Sequence, residues 1–243
     1  SYSVTGVQTC ALPILRTPLT SIRLNADLLG RAGLAEERRS VALAHIQEEA
    51  YRLERMVSDI LDLSRFRRSG SSWMHPQAVG PEEIVDAALR SHLPGLEARG
   101  FRVDLRIPEG LPRVLADLDA AARALGNLLG NAGKYSGMAR EIELVLGMAG
   151  GRVAFAVVDH GPGVPPGERD RIFRRFYRSP ATAGEAVGVG LGLSVAREIA
   201  RGLGGEIRVE ATPGGGATFV LELPRVEGDS LAAVHGGAAR GSG

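Results

Sequence analysis

"NLLGNAGKYS", residues 127–136, decides the reading of this 243-residue chain. It closes an alanine- and leucine-rich run whose periodicity predicts a helix over 118–135. On that helix Asn127, Asn131 and Tyr135 fall at i, i+4 and i+8, hence on one face, with Lys134 beside them. A helix packed on a sheet does not line its inward edge with amides unless something polar lies there. Asparagine carbonyl oxygens suit a hard cation such as Mg²⁺, which takes oxygen ligands and keeps several waters. Lys134 is the only lysine in a chain that otherwise uses arginine, and a compact ammonium serves well as a point charge toward a phosphate. The plain alternative is a solvated helix face.

Two further clusters follow. In "VVDHGPGVPPGERD", residues 157–170, Asp159 ends an apolar strand and precedes Gly161 and Gly163, which let backbone approach a ligand closely. A carboxylate there accepts hydrogen bonds from an amino group such as that of adenine; taken alone, an ordinary strand-end turn explains the motif as well. His160 reads as a turn residue. In "GVGLGLSVA", residues 188–196, Gly188, Gly190 and Gly192 open a helix, and backbone N–H groups exposed at such a start receive phosphate. The run lacks the Lys-Ser/Thr ending of a P-loop and does not follow a first strand, so neither a P-loop nor a dinucleotide-binding fingerprint is indicated.

The rest of the chain frames these clusters. With 44% hydrophobic and 23% charged residues, the composition is that of a soluble globular protein of one or two domains. The net charge of +1 gives no reason to expect nucleic acid. One cysteine, Cys10, excludes an internal disulfide framework. No apolar run approaches the roughly 20 residues of a membrane helix, and no signal peptide is evident, so the expected location is cytoplasmic.

Residues 15–68 carry two seams with four-three spacing: Leu15, Leu19, Ile22, Ala26 and Leu29, then Leu43, Ile46, Ala50, Leu53, Val57 and Ile60. Between them Gly30 and Gly33 end one helix, and Glu36 and Glu37 favour the next. The expectation is an antiparallel helical hairpin that completes its core as a dimeric four-helix bundle; packing on its own C-terminal domain is the alternative. Residues 69–80, rich in Ser, Gly and Pro, read as a linker. Residues 81–225 mix helices near 82–100, 118–135, 166–176 and 191–203 with strands at "FRVDLRIP", "EIELVL" and "RVAFAVVDHG" and a closing hairpin over 206–224. In "FRVDLRIP" the alternation of Val103, Leu105 and Ile107 predicts a half-buried strand. This order predicts an α+β chain whose second domain is an α/β sandwich, helices covering one face of a mixed sheet. The Gly- and Ala-rich residues 226–243 read as a disordered tail.

In this order and spacing the clusters resemble the ATP-binding domain of sensor histidine kinases, part of a superfamily shared with gyrase- and heat-shock-type ATPases. The asparagine box (Asn127, Asn131, Lys134, Tyr135), first glycine box (Asp159, Gly161, Gly163), phenylalanine box "RIFRRFYRS" (Phe173, Phe176, Arg178), second glycine box (Gly188, Gly190, Gly192) and a final "PGGGATF" with Gly214 and Gly216 stand in register. The resemblance implies that Asn131 ligates Mg²⁺, that Asp159 reads adenine, and that Lys134, Tyr135 and Arg178 serve the phosphates of ATP. It adds Asn127, Leu191 and Thr218 to the ATP-binding set and makes residues 179–189 the lid over the nucleotide. It also implies a homodimer, a response-regulator receiver domain as partner, and membrane attachment only through a sensor region ahead of residue 15.

In that family the first helix carries His-Glu immediately before Leu-Arg-Thr-Pro-Leu, the histidine being the phosphoacceptor. Leu15, Arg16, Thr17, Pro18 and Leu19 match, whereas Pro13 and Ile14 occupy the places of the pair. A prolyl ring within a peptide offers no nucleophile, and no other histidine lies in the motif, His45 on the second helix being the nearest substitute. Thr17 matches the position assigned to orienting a water for dephosphorylation of the regulator, but the companion acid is missing at Ile14. Residues 4–14, "VTGVQTCALPI", resemble the conceptual translation of a sequencing adapter and break the heptad seam, so residues 1–14 are expected to be a foreign or disordered leader. The expected function is that of a histidine kinase core whose acceptor is absent here. A catalytically dead ATP-binding dimer that signals by conformation, and a serine kinase of the same superfamily, are the alternatives.

Overall fold

A computed structural model describes residues 5–31, 33–180 and 190–226, with side chains for all of these except 5–15, 55, 67 and 69. The chain divides into two compact units, Ser1–Ser64 and Arg65–Gly243.

The first unit is built on helix α1 (Thr5–Leu29) and most of helix α2 (Glu36–Ser69). Gly33 in the turn between them has φ +79°, a conformation open to glycine at no steric cost. Glu36 and Glu37 lie in the first turn of α2, where carboxylates complement the helix dipole. Helix α1 starts at Thr5, so the backbone of residues 5–14 is helical where a foreign or disordered leader is expected. The seams are only partly covered: Leu43 and Val57 are each 47% exposed, and Leu19 is exposed as well. No helix among the described residues is long and apolar enough to cross a membrane.

The second unit takes in the end of α2 from Arg65. Five strands, β2 (Arg102–Arg106), β4 (Glu141–Ala149), β5 (Arg152–Asp159), β6 (Glu206–Ala211) and β7 (Ala217–Pro224), form one sheet in the order β2-β4-β5-β7-β6. β2 and β4 run parallel and the other neighbours antiparallel, which makes the sheet mixed, as expected. Helices α3 (Pro81–Glu97), α4 (Leu118–Tyr135) and α5 (Gly192–Gly202) complete the sandwich. The burial of β4 and β5 alternates, with Ile142, Leu144 and Leu146 facing inward on one and Val153, Phe155 and Val157 on the other. They meet Leu125, Leu128 and Leu129 of α4 in a core from which water is excluded.

Four expectations need correction. Residues 69–80 are not a free linker: α2 runs to Ser69, and β1 (Gln77–Val79) pairs antiparallel with β3 (Val114–Ala116) in a second, two-stranded sheet. The helix expected over 166–176 is two 3₁₀ turns, Pro166–Glu168 and Arg171–Phe173, because Pro165, Pro166 and Gly167 disfavour a continuous α-helix. β2 is an edge strand whose Leu105 is exposed rather than half-buried. Val226, assigned to the tail, donates its N–H to the Arg113 carbonyl at 2.8 Å; the remainder of that tail lies outside the described residues.

Candidate nucleotide-binding site

Helix α4 brings the asparagines to the site. Asp117 caps it, its Oδ1 accepting from the Ala120 N–H at 3.0 Å. Small residues let the helix lie close to its neighbours: a Cβ on Gly133 would run into Leu96, and one on Gly126 into His92 of α3. Asn127 is drawn inward to 8% exposure, and its Nδ2 is buried without an acceptor among the described residues. A buried amide donor in that condition is costly unless a ligand completes it. Asn131 and Tyr135 follow one and two turns later, half-buried, with Lys134 exposed between them.

Strand β5 supplies the carboxylate. Its alternation runs Val153, Phe155, Val157, Asp159, so the same period that buries the apolar residues turns Asp159 inward, to 2% exposure. Its Oδ1 accepts from the N–H groups of Gly161 at 3.0 Å and Ala217 at 3.1 Å. Burial raises the carboxyl above its ordinary range, while those two N–H groups and nearby His160 act in the opposite direction. His160 Nε2 lies 3.7 Å from Glu143 Oε1, an ion pair only when the imidazole is protonated.

The glycines hold these pieces together. A Cβ on Gly161 would run into the Tyr135 carbonyl at the end of α4, and one on Gly216 into the Asp159 carbonyl. Gly163, at φ +74°, leaves only 2.8 Å between its would-be Cβ and the Gly216 carbonyl oxygen. Gly192, the first residue of α5, faces Asn127, whose Oδ1 would sit 3.2 Å from a Cβ there. The first glycine box and the final glycine run therefore gather around Asp159 and the end of α4, and Gly192 of the second glycine box meets the same helix at Asn127.

The other expected residues fall in different ways. Gly190 (φ +75°) accepts from the Phe176 N–H at 2.9 Å, and Phe176 itself has φ +62°. Phe173 is buried beneath the Arg197 guanidinium, 5.1 Å from its ring centre. Leu191 is buried, so only its backbone is available to a ligand. Thr218 bonds Thr212 through their hydroxyls at 2.9 Å, and Arg178 is exposed. Gly188 and most of the expected lid, 181–189, lie outside the described residues. Thr17 is exposed on α1, and the side chains of Pro13 and Ile14 are not described. Sequence reasoning missed Ala217 as a partner of Asp159 and Ser194, whose Oγ donates to the Leu191 carbonyl at 2.7 Å and steadies the start of α5. The Ala217 contact has no sequence signal, since it joins residues 58 apart, whereas the Ser194 bond is local, three residues back along the chain.

Comparison with known proteins follows the same division. Residues 15–69 match the His Kinase A (phospho-acceptor) domain, and residues 116–227 match the histidine kinase-, DNA gyrase B-, and HSP90-like ATPase. Sensor protein KdpD of Escherichia coli (strain K12) is 34% identical over 223 residues, which cover 91% of this chain and 24% of that protein. Alginate biosynthesis sensor protein KinB of Pseudomonas aeruginosa is 34% identical over 213 residues, covering 86% of this chain and 35% of that one. This chain thus spans about a quarter to a third of the length of these curated relatives. Among solved structures, full-length ShkA in complex with AMPPNP superposes with a TM-score of 0.65 at 28% identity, over 92% of this chain and 47% of that one. The fold alone is shared with histidine kinase ThkA in complex with response regulator protein TrrA, at a TM-score of 0.69 and 22% identity over 91% of this chain and 61% of that one. With a match to the phospho-acceptor domain followed by one to the ATPase domain, and sensor proteins among its relatives, the chain belongs to the sensor histidine kinase family.

Proposed function

We propose that this chain is the catalytic core of a two-component sensor kinase, that it binds Mg·ATP between α4, the β5 turn and α5, and that its acceptor position is blocked. The observation that carries this reading is a pair of close approaches along α4: Gly192 at the start of α5 lies against Asn127, whose amide donor is buried without an acceptor among the described residues, and the turn that follows buried Asp159 lies against the Tyr135 carbonyl at the helix end. Asp159 accepts from the adenine amino group, and the opening of α5 offers N–H groups and the positive end of a helix dipole to phosphate. Lys134, Tyr135 and Arg178 add charge and donors for the phosphates. The half-buried carboxamide of Asn131, one turn beyond the unsatisfied Asn127, fits a hard cation as an oxygen donor. Mg²⁺ held there would neutralise phosphate charge, the main need of phosphoryl transfer.

In the family reaction a histidine nitrogen takes the γ-phosphoryl group and ADP departs, after which an aspartate of a response regulator receives the group. The ATP-analogue complex of ShkA and the regulator complex of ThkA support both partners for this chain. The exposed seam residues of α1 and α2 support a second copy of the chain as the completion of the hairpin. Here Pro13 removes the nucleophile and Ile14 the neighbouring acid, so the chain binds nucleotide without forming phosphohistidine, and dephosphorylation through Thr17 lacks its companion. The phosphoacceptor match begins at residue 15, directly after the adapter-like run, which supports a foreign origin for residues 4–14. Calorimetry with AMPPNP tests the site. Binding should require Mg²⁺ and weaken about tenfold or more in Asn131→Ala, the loss of a hydrogen bond or ligand to a charged group. Binding that ignores both Mg²⁺ and the substitution would contradict the assignment.

A further inference from the structure

Residues 71–79 are fastened to both helices that carry the nucleotide-site motifs. Trp73 packs edge-on against Phe66 near the end of α2, with ring centroids 5.4 Å apart and planes at 75°, and the Arg65 guanidinium lies 5.8 Å from the indole centre. Met74 is buried to 4% exposure, and its methyl group, with Ser71 and Phe66, presses on Gly202, the last residue of α5, where a Cβ would collide with it. One residue on, the His75 N–H donates to Asp117 Oδ2 at 2.9 Å, while Oδ1 of the same carboxylate caps α4. Residues 77–79 then pair with 114–116, the strand that leads into that cap.

The two helices thus touch the strap at one end and the site at the other. α5 meets Asn127 at its first residue and Met74 at its last; α4 meets His75 at its cap and bears Asn127 and Asn131 further along. Closely packed helices move as units, so a change in their separation at the site is transmitted to the strap. Trp73 adds a second sign of a poised element: its Nε1 is buried without an acceptor among the described residues, an arrangement that a tryptophan at rest avoids.

We propose that residues 71–79 are a coupling strap, in which nucleotide bound between α4 and α5 alters the Trp73 cluster at the end of α2, with Asp117 as the positioning residue that joins the strap to α4. This rests on the nucleotide reading of the site. Coupling is reciprocal, so loosening the strap changes nucleotide affinity by the same factor that nucleotide changes the strap.

Trp73 is the chain's only tryptophan, so its fluorescence reports on the strap without labelling. AMPPNP with Mg²⁺ should alter acrylamide quenching of Trp73 and slow amide exchange at His75 and residues 77–79. In Asp117→Asn the amide oxygen still caps α4, whereas its NH₂ cannot accept from His75. That variant should keep its melting temperature, lose the Trp73 response and bind AMPPNP about fivefold more weakly, the lower end of usual couplings. Met74→Ala, at the other attachment, should reduce the response while leaving the cap intact. Calorimetric binding with no change at Trp73 or in exchange would overturn the coupling and leave the site reading standing, as would an Asp117→Asn variant with unchanged response and affinity. No calorimetric binding at all would overturn the site reading and the strap with it.

Discussion

Asparagine at position 159 separates what the carboxylate does for a ligand from what it does for the fold. Asp159 Oδ1 accepts from Gly161 and Ala217 N–H groups at 3.0 and 3.1 Å, and an amide oxygen can keep both bonds. Burial disfavours the charge on this group, so Asp159→Asn removes an unfavourable charge and leaves the backbone contacts in place. The melting temperature should hold or rise. Asp159→Ala instead strands two N–H donors at a cost of at least about 2 kcal/mol together, a fall of about 4–8 °C for a domain of this size. For the nucleotide the two variants agree: asparagine presents an NH₂ to the adenine amino group, donor against donor. Losing a hydrogen bond to a charged group costs about 1.5–3 kcal/mol, or roughly tenfold to a hundredfold in AMPPNP affinity. Thermal melting and calorimetry on the same samples read both effects. The reasoning fails if Asp159→Asn melts as low as Asp159→Ala, or if it binds AMPPNP as tightly as the parent.

The raised carboxyl also sets a pH dependence. Above its ordinary value of 3.8 the unfolded chain has released a proton that folded Asp159 still holds, so stability contributed by this group falls as pH rises through the raised value. Melting curves across that range should show the decline in the parent and not in Asp159→Asn. Gly161→Ala forces a methyl group against the Tyr135 carbonyl and should cost about 1–3 kcal/mol in chemical denaturation, whereas Gly167→Ala, with open space around it, should be neutral. Val57→Glu places a charge on an exposed apolar seam and should shift the mass measured by light scattering from dimer toward monomer; a parent chain that is already monomeric at high concentration would contradict the bundle.

Much of the fold is legible in the sequence because long elements carry strong periodicity. The expected limits of α4 agree with Leu118–Tyr135, and the apolar alternation of 153–157 is enough to mark β5 as a strand. Strands β1 and β3 are not legible, since three residues each are too few for a period to show, and the Ser-, Gly- and Pro-rich composition around Trp73 and Met74 hides two side chains that pack inward. In the site, residue types point correctly to Asn127 and Asp159, and extending the alternation of β5 by one step would have predicted that Asp159 is buried. What sequence cannot carry is the pressing of Gly161 on Tyr135 and of Gly216 on Asp159, or the Ala217 N–H that completes the carboxylate. Those contacts join segments distant along the chain, and only packing reveals them.

The most direct test of a nucleotide site paired with a missing acceptor is labelling by γ-³²P-ATP. The parent chain is compared with a variant in which Pro13→His and Ile14→Glu are combined with a helix-forming replacement of residues 4–12. An imidazole on α1 restores the nucleophile that a prolyl ring lacks. The repaired chain should acquire acid-labile, base-stable label that Asn131→Ala abolishes, and the parent chain should acquire none. Equal labelling of the two would contradict the missing-acceptor claim and direct attention to another residue such as His45; no label on a repaired chain that binds AMPPNP would contradict the kinase reading itself.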